Sequence, residues 1–419
     1  MGSENTTPNP RSRGRINNAL PSKTWLSNGV ELLFEREGLN KEGKPFDVII
    51  VGSGYGGAMA AAELSKQGLS VCVLERGREF LPGSFPNSMD EAPLELRKSN
   101  SAGSKPIGNL EGLFDIRKGK DLNVLLANGL GGGSLINAGV MARAKKTIFD
   151  APCWPPEISA VSLAKYYDDA ELLLGSKMLD KNRAVEPNTI LSHSKFSGSD
   201  YGPSKFESLR KLSEASVDKV RITNFKSEFQ SANITINMRQ GRKTIAGLPL
   251  NACNLCGDCA TGCNYNAKIS LDKNLLAKAS SNGVEIFTGA TVLKVRPNNN
   301  KSGNRWLIQL VYTNAQLRSR QSQTKLELKT NNIILSAGAL GTTEILKRSQ
   351  SEDLPFSTKL GQQFSSNGDM ITVGFNQNQI VNAIADPKMP HSKRGVGPTI
   401  TGMIDLRDHP EVRSAGRRD

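Results

Sequence analysis

Histidine and aromatic residues are scarce in this sequence of 419 residues. It contains three histidines and 5% aromatic residues, against 40 glycines. A glycine-rich, aromatic-poor composition disfavours an all-β sandwich and suits a nucleotide-binding α/β architecture, and the length predicts two lobes. The amino-terminal residues lack a basic start followed by an apolar core, which argues against a secretory signal and predicts a cytoplasmic protein.

One uncharged segment could be mistaken for a membrane span. Residues 122–142 are long enough to cross a bilayer, but they contain five glycines and three asparagines. That composition makes a poor transmembrane helix. We therefore predict no integral membrane segment, and we expect a strand that feeds a cofactor-binding loop.

Acidic residues are outnumbered by basic ones, which gives a formal net charge of +14. The basic residues are scattered, and no basic stripe interleaved with aromatic residues is visible. Nucleic-acid binding is therefore not predicted. A diffuse positive field would instead help to retain an anionic dinucleotide.

Residues 46–77 form the most informative stretch, FDVIIVGSGYGGAMAAAELSKQGLSVCVLERG. The pattern predicts a strand (48–51), a helix of small residues (58–66) and a second strand (70–74). The turn between the first strand and the helix has the spacing G-x-G-x-x-G. Gly52 permits the tight turn, Gly54 lets the backbone approach a pyrophosphate, and Gly57 allows close helix–strand packing. Glu75 ends the second strand, where it can accept from ribose hydroxyls.

A second glycine-rich block, GLGGGSLINAG, follows at 129–139. A flavin enzyme needs such a block to hold the ribityl chain and ring of FAD. At this point the chain resembles the glucose–methanol–choline (GMC) oxidoreductases, in their cholesterol-oxidase-like branch. The matching stretches are GSGYGG (52–57), GGGSLINAGV (131–140), IFDAPCWPPEI (148–158), ILSAGALGTTEIL (334–346) and LGQQFSSNGDM (360–370).

The resemblance implies a set of FAD-binding positions. Asn137 would lie beside the isoalloxazine ring together with Gly133, Ala138 and Val140. Val292 would contact the adenine through its backbone. The full predicted set is Gly52, Gly54, Tyr55, Gly56, Gly57, Glu75, Arg76, Gly133, Asn137, Ala138, Val140, Val292, Ala337 and Gly338. The glycine block contains no histidine, so a covalent histidyl flavin is not indicated there.

The predicted fold class is α/β, with an FAD-binding Rossmann-like βαβ lobe, a β-meander and a second, incomplete α+β lobe on the substrate side. A polar tail (1–22) precedes a short docking helix within 24–37. The predicted helices and strands after residue 150 are an amphipathic helix (159–175), a helix (267–283), three meander strands (284–296, 305–313 and 324–329) and a strand–turn–helix unit (331–349). The predicted domains are 1–45 (tail and docking helix), 46–150 and 267–349 (FAD-binding domain), 151–266 (substrate-side insertion with a cysteine-rich loop) and 350–419 (start of a substrate-binding domain).

Four of the six cysteines lie in CNLCGDCATGC, with the spacing C-x2-C-x2-C-x3-C. This spacing matches the bacterial ferredoxin run, but Asn264 stands where that run continues with proline. No second run is present to share the fourth cysteine. The alternatives are an iron–sulfur cluster, a zinc site, or structural thiols that are reduced or partly disulfide-bonded. We assign no metal ligands.

The resemblance implies a catalytic histidine paired with an asparagine or a second histidine. His193, His391 and His409 do not lie in a segment like that motif, so no catalytic base is assigned. In the family, more than a hundred residues follow the stretch echoed by Asn367-Gly368-Asp369. We therefore expect a carboxyl-terminally truncated member, with the catalytic base beyond Asp419.

The predicted function is an FAD-dependent oxidation of the CH–OH group of a sterol-like or other bulky apolar alcohol. The hydride passes to flavin N5, and oxygen or another acceptor then takes the electrons. The alternatives are a flavin and iron–sulfur electron-transfer protein, and a catalytically incomplete FAD-binding fragment.

Overall fold

The computed structural model describes residues 25–39, 45–100, 105–179, 204–214, 229–299, 305–320, 324–365, 367, 371–374, 378, 381–384 and 395–406. The predictions on the polar tail and on His193, His391 and His409 lie outside these residues. The chain divides into two compact units: Met1–Ile136 with Ser270–Phe375, and Asn137–Ile269 with Asn376–Asp419. The predicted domains are a division by role, and they stay a prediction.

The strands and α-helices of the described residues are numbered here in chain order. The strands are β1 (Asn28–Gly29), β2 (Phe46–Val51), β3 (Val71–Glu75), β4 (Leu96–Asn100), β5 (Ile107–Gly108), β6 (Phe114–Lys118), β7 (Asn123–Ala127), β8 (Lys177–Met178), β9 (Phe229–Ser231), β10 (Asn233–Ile234), β11 (Glu285–Thr288), β12 (Ala290–Pro297), β13 (Trp306–Tyr312), β14 (Lys325–Leu335) and β15 (Gly402–Ile404). The α-helices are α1 (Val30–Leu39), α2 (Tyr55–Leu64), α3 (Ala160–Leu174), α4 (Ser204–Glu214), α5 (Leu275–Ser281), α6 (Ala315–Arg320) and α7 (Gly338–Ser349).

A seven-stranded sheet organises the first unit, in the order β1-β11-β3-β2-β14-β13-β12. The strands from β1 to β14 in this order run parallel, and β14, β13 and β12 form an antiparallel meander. The helix α2 connects β2 to β3, as the glycine-turn pattern predicts. The structure therefore confirms the predicted α/β class with a βαβ unit and a meander.

The strand sequences explain why the sheet forms here. All five residues of β3, VCVLE, are buried, and β2, FDVIIV, is buried at every position except Asp47. Continuous apolar runs rich in β-branched residues are typical of parallel strands covered on both faces. Side chains from these strands share one apolar core with residues of the meander, including Ile308 and Leu328.

The predicted docking helix is present as α1. Val30, Leu33 and Phe34 are buried and belong to the same apolar core. The ring of Phe34 stacks on Tyr312, with the ring centroids 4.0 Å apart. A salt bridge from Arg36 to Glu285 fixes the exposed side of the helix. The helix is therefore packed onto the sheet.

The meander differs from its prediction in two places. The segment 284–296 is broken by Gly289, whose φ is 78°. The part before the break, β11, pairs parallel with β3, and only β12 belongs to the meander. At the other end, the third meander strand and the return strand are a single eleven-residue strand, β14. Because β14 pairs with β13 along its first half and β2 along its second, one strand serves both roles.

The helix predicted at 267–283 begins later than expected. Lys268 forms a β-bridge with Ile236, and the Ile269 amide donates to the Thr235 carbonyl oxygen. A 3₁₀ turn, Leu271–Lys273, follows, and α5 begins only at Leu275. The first residues of the predicted helix are extended because they pair with a neighbouring segment, a tertiary contact that helical periodicity does not reveal.

The described residues also form a second sheet in the first unit, two two-stranded sheets (β10-β8 and β15-β9) and an amphipathic helix in the second unit. A second sheet in the first unit has the order β5-β4-β6-β7, and β4, β5 and β6 were not predicted. In the second unit, the predicted amphipathic helix is α3, with a Ser159–Ser162 capping box and Gly175 at its end. None of the helices in the described part of the chain is both long and apolar enough to traverse a membrane.

Candidate cofactor site

The carboxyl ends of three parallel strands meet at one edge of the seven-stranded sheet. Val51, the last residue of β2, pairs with Leu74 of β3 on one side and with Leu335 of β14 on the other. The loops after these strands therefore begin side by side. In open α/β sheets, ligands bind in the crevice outside the carboxyl ends of the strands.

Two of the predicted glycines are required by packing. A Cβ on Gly57 would lie 2.0 Å from the carbonyl oxygen of Gly52. A Cβ on Gly52 would lie 2.4 Å from the carbonyl oxygen of Ser336, and Gly52 has a φ of 97°. L side chains rarely adopt that conformation. The turn can therefore close only with glycine at both positions.

Three other predicted glycines border open space. A Cβ built on Gly54, Gly133 or Gly338 meets no neighbouring atom of the described chain within 4 Å. Gly54 is the N-cap of α2, and Gly338 is the first residue of α7. Neither helix carries an acid in its first turn. These helix N-termini therefore favour a nearby anionic group.

The second glycine block lies against the first. The Gly131 amide donates to Ser53 Oγ over 3.0 Å. A Cβ on Gly132 would lie 2.9 Å from the Cα of Gly54, so the two backbones are almost in contact. The segments 52–57, 131–133 and 336–338 thus converge, and we call them the glycine-loop site. The sequence suggested a joint role for the first two blocks but not their contact.

Glu75 is tied into the turn that it follows. Its carboxylate accepts from the Ser53 amide (3.1 Å), from Ser53 Oγ (2.6 Å) and from the Gly77 amide (2.8 Å). The residue is 8% exposed. The acid therefore holds the glycine turn in shape, and its predicted contact with ribose hydroxyls stays a prediction.

Arg76 belongs to a buried charge cluster. Its guanidinium donates to Asn128 Oδ1 and to Asp115 Oδ2, both over 2.7 Å. Asp115 is fully buried and also accepts from Arg97 and Arg117. Burial opposes the charge on Asp115, but the three guanidinium groups outweigh it and lower the pKa of that carboxyl group. Arg76 is thereby fixed in one orientation.

The remaining predicted residues of the first unit occupy different positions. Tyr55 is 43% exposed at the start of α2, and a Cβ on Gly56 would lie 3.1 Å from Ser336 Oγ. The Ala337 amide donates to Thr342 Oγ1 over 3.1 Å, which shapes the turn into α7. Val292 is buried in β12 and pairs with Leu310. Tyr55 and Gly56 thus begin a helix, Ala337 precedes one and Val292 lies in a strand; the cofactor contacts that the resemblance implies for them stay predictions.

Asn137, Ala138 and Val140 belong to the second unit. Asn137 Oδ1 accepts from the Gly139 amide over 3.1 Å, which closes a local turn. Val140 forms a β-bridge with Ile234. Asn137 and Ala138 are half-buried. Their predicted places beside the isoalloxazine ring stay a prediction.

Two residues that support the predicted site residues were not predicted from the sequence. Ser53 lies between two predicted glycines, and its amide and hydroxyl connect Glu75 to the second glycine block. The position of Ser53 inside the G-x-G turn is the sequence feature from which its role could have been predicted. Asp115 has no motif around it, and only folding places it among three arginines.

The cysteine loop, residues 253–263, does not support the metal alternatives. Among the described residues, no group of three or more His, Cys, Asp or Glu side chains is arranged to hold a metal ion. Cys253 Sγ accepts from the Leu255 amide, and Cys263 Sγ accepts from the Ala267 amide. Cys253, Cys259 and Cys263 pack in an apolar cluster, and the loop contains no disulfide. The cysteines with the ferredoxin-like spacing thus serve packing, and the described residues give no support to the iron–sulfur or zinc alternative.

Comparisons with known proteins give the family. The GMC oxidoreductase family model matches residues 46–354. A cholesterol oxidase of Acinetobacter baumannii is 29% identical over 338 residues, which cover 78% of this chain and 55% of the relative. A long-chain-alcohol oxidase of Arabidopsis thaliana is 25% identical over 305 residues, covering 72% and 33%.

Solved structures give a weaker likeness. Pyridoxine 4-oxidase from Mesorbium loti aligns with a TM-score of 0.39 and 16% identity, covering 73% of this chain and 52% of that one. The chain spans about half the length of the cholesterol oxidases that it matches. Because the family model covers well over half of the residues, the chain belongs to the GMC oxidoreductase family.

Proposed function

We propose that this chain is an FAD-dependent oxidoreductase acting on the CH–OH group of a sterol-like or other bulky apolar alcohol. Oxygen or another acceptor would reoxidise the flavin. One observation carries the proposal: the two glycine blocks and the loop after β14 converge at the carboxyl edge of a parallel sheet.

Three glycines indicate whether FAD fits this site. Gly54, Gly133 and Gly338 border space that a side chain could enter. The close backbone contacts that require glycine at positions 52 and 57 are absent at Gly54 and Gly133. A backbone kept bare at such points lets a phosphate or a ring approach closely. The residues present therefore fit a dinucleotide.

Roles can be assigned to the chain's own residues on this basis. We assign FAD binding to 46–150 and 267–349, with the pyrophosphate at the N-termini of α2 and α7. Glu75 and Ser53 would hold the glycine turn in shape, and Asp115 would orient Arg76. When bound, FAD supplies hydride acceptance at N5. The protein's share is to orient the cofactor and exclude water.

The substrate class rests on the named relatives. A cholesterol oxidase and a long-chain-alcohol oxidase are both oxidases of alcohols with large apolar bodies. We extend that shared class to this chain as a proposal. An alcohol of either shape would test it.

The test is an absorption spectrum of the purified chain after incubation with FAD, followed by removal of unbound cofactor. We expect two flavin bands and FAD released on denaturation. Anaerobic addition of a sterol should then bleach the flavin. A matched variant, Gly54→Val, should lose the flavin bands, whereas Gln67→Ala, exposed just beyond α2, should keep them.

The outcomes separate the parts of the proposal. A folded chain without retained FAD would contradict the cofactor assignment. Retained FAD that no sterol or long-chain alcohol bleaches would contradict the catalytic part and favour an FAD-binding protein without alcohol oxidation.

A further inference from the structure

Lys268 is a buried cation between two loops of the second unit. The residue is 2% exposed, and its ammonium donates to the carbonyl oxygen of Asn137 over 2.6 Å. A second hydrogen bond, over 2.9 Å, reaches the carbonyl oxygen of Cys259. One charged side chain therefore joins the loop of a predicted flavin-binding residue to the cysteine loop.

The backbone after Asn137 is held by a different partner. The Gly139 carbonyl oxygen accepts from the Thr235 amide (2.7 Å) and from Thr235 Oγ1 (3.2 Å). The Met141 amide donates to the Asn233 carbonyl oxygen over 2.7 Å. The residues 139–141 thus lie along 233–235, whereas Lys268 holds the carbonyl of Asn137 itself.

The cysteine loop supplies the other anchor for the ammonium. The Cys253 amide donates to the Asn237 carbonyl oxygen over 2.8 Å, which fixes the start of the loop. The Ala267 amide donates to Cys263 Sγ over 3.3 Å, which fixes its end. Cys259 is buried in the apolar cluster between them. Packing of the thiols therefore sets the position of the Cys259 carbonyl.

The two hydrogen bonds of the Lys268 ammonium are of a strong and directional kind. Hydrogen bonds from a charged donor are shorter and stronger than neutral ones, and their strength rises when water is excluded. Removing the ammonium would take this donor from two carbonyl groups, of half-buried Asn137 and of buried Cys259.

We propose that Lys268 is a positioning residue, which couples the cysteine loop to residues 137–140 and so fixes the backbone carbonyl of Asn137, a residue that the proposed function assigns to flavin binding. The inference rests on the proposed function in one respect, the assignment of Asn137 to the flavin site. It also gives the cysteine loop a role that needs no metal. The Cys259 carbonyl oxygen holds the Lys268 ammonium in place, and the ammonium in turn holds the Asn137 carbonyl.

The test compares Lys268→Met with Lys268→Arg, which keeps the charge, and with Lys165→Met on the exposed face of α3. Hydrogen exchange of the flavin-free chain, read by mass spectrometry, reports on the peptide that contains 137–141. We expect this peptide in Lys268→Met to exchange at least about tenfold faster than in the wild type, with α3 unchanged. Lys268→Arg should restore part of the protection, and Lys165→Met should match the wild type.

A second readout follows the flavin. We expect Lys268→Met to weaken FAD binding about tenfold and to shift the visible flavin bands, whereas Lys165→Met should not. If Lys268→Met does not fold, Lys268→Gln, which keeps an N–H donor, takes its place in both measurements. Unchanged exchange at 137–141 would overturn the proposal. A wild-type chain that binds no FAD would contradict the proposed function, and the exchange data would still decide whether Lys268 braces the loop.

Discussion

The glycine-loop site and the cysteine loop each contain a recognisable residue spacing, but the glycines of the first act through backbone contacts and the cysteines of the second through side-chain packing. In the glycine-loop site, backbone meets backbone, and the contacts at Gly52, Gly57 and Gly132 leave no space for a Cβ. In the cysteine loop, three of the four cysteine side chains pack in an apolar cluster. The role of a motif that acts through its backbone is thus easier to predict from sequence than the role of a motif that depends on the side chains around it.

Gly57→Ala should give the largest effect, because it tests whether the glycine-loop site is set by backbone contact. The new methyl group would lie 2.0 Å from the Gly52 carbonyl oxygen, and that atom belongs to rigid backbone. We expect a loss of about 3 kcal/mol in the free energy of unfolding. Urea unfolding of the flavin-free chain measures it. A stability equal to that of the wild type would show that the turn can relax.

Glu75→Gln should come next, since it weakens the link between the turn and the strand β3. The carboxylate accepts from two amides and a hydroxyl in a buried place, and an amide side chain cannot reproduce all three contacts. We expect a loss of about 2 kcal/mol in unfolding free energy. Glu63→Gln, exposed on α2, is the matched control and should change little. Equal losses in the two variants would contradict a role for Glu75 in holding the turn.

Gly54→Ala should separate cofactor binding from folding. Its Cβ would point into open space, and Gly54 has a φ of −67°, which alanine adopts without strain. We expect FAD affinity to fall roughly tenfold, or about 1.4 kcal/mol. The free energy of unfolding should stay within about 1 kcal/mol of the wild type. Isothermal titration with FAD and urea unfolding measure the two quantities, and a large loss of stability with intact affinity would reverse the assignment.

The smallest effect is expected at the cysteine loop, whose alkylation by a thiol reagent should be slow and whose stability should not change with a chelator. Burial raises the pKa of the Cys256 thiol to about 12, so the unreactive thiol form dominates at pH 8. Cys153 is exposed and should therefore be alkylated first by iodoacetamide. A chelator should leave the unfolding midpoint unchanged. Intact mass spectrometry follows the alkylation, and Cys153→Ser should remove the fast step; rapid labelling of the cysteine loop would contradict its burial.

The difference between local spacing and distant contacts also explains which parts of the fold could be predicted from the sequence. The βαβ unit was predictable because its strands are continuous apolar runs and its turn has a fixed glycine spacing. The break at Gly289 and the late start of α5 were not, since both depend on which strand or segment lies alongside. Strands β4 and β6 were missed because they carry charged residues that form the Asp115 cluster, and β5 was missed because it has only two residues.

In the candidate site, the tight turn at Gly52 and the close packing at Gly57 followed from the spacing, whereas the approach of a pyrophosphate to Gly54 stays a prediction. Ser53 and Asp115 could not be predicted, because a single serine or aspartate has many uses. Their function as a connector and as a partner of three arginines exists only after distant segments meet.

By itself, the sequence determined the α/β class, the glycine turn and the resemblance to one family, because these depend on local spacing and on apolar runs that few folds share. Only the tertiary structure decided that the second glycine block touches the first, that the cysteine spacing serves packing, and that Lys268 joins two loops. The physical reason is that close approach, burial and charge pairing are properties of segments brought together from far apart in the chain.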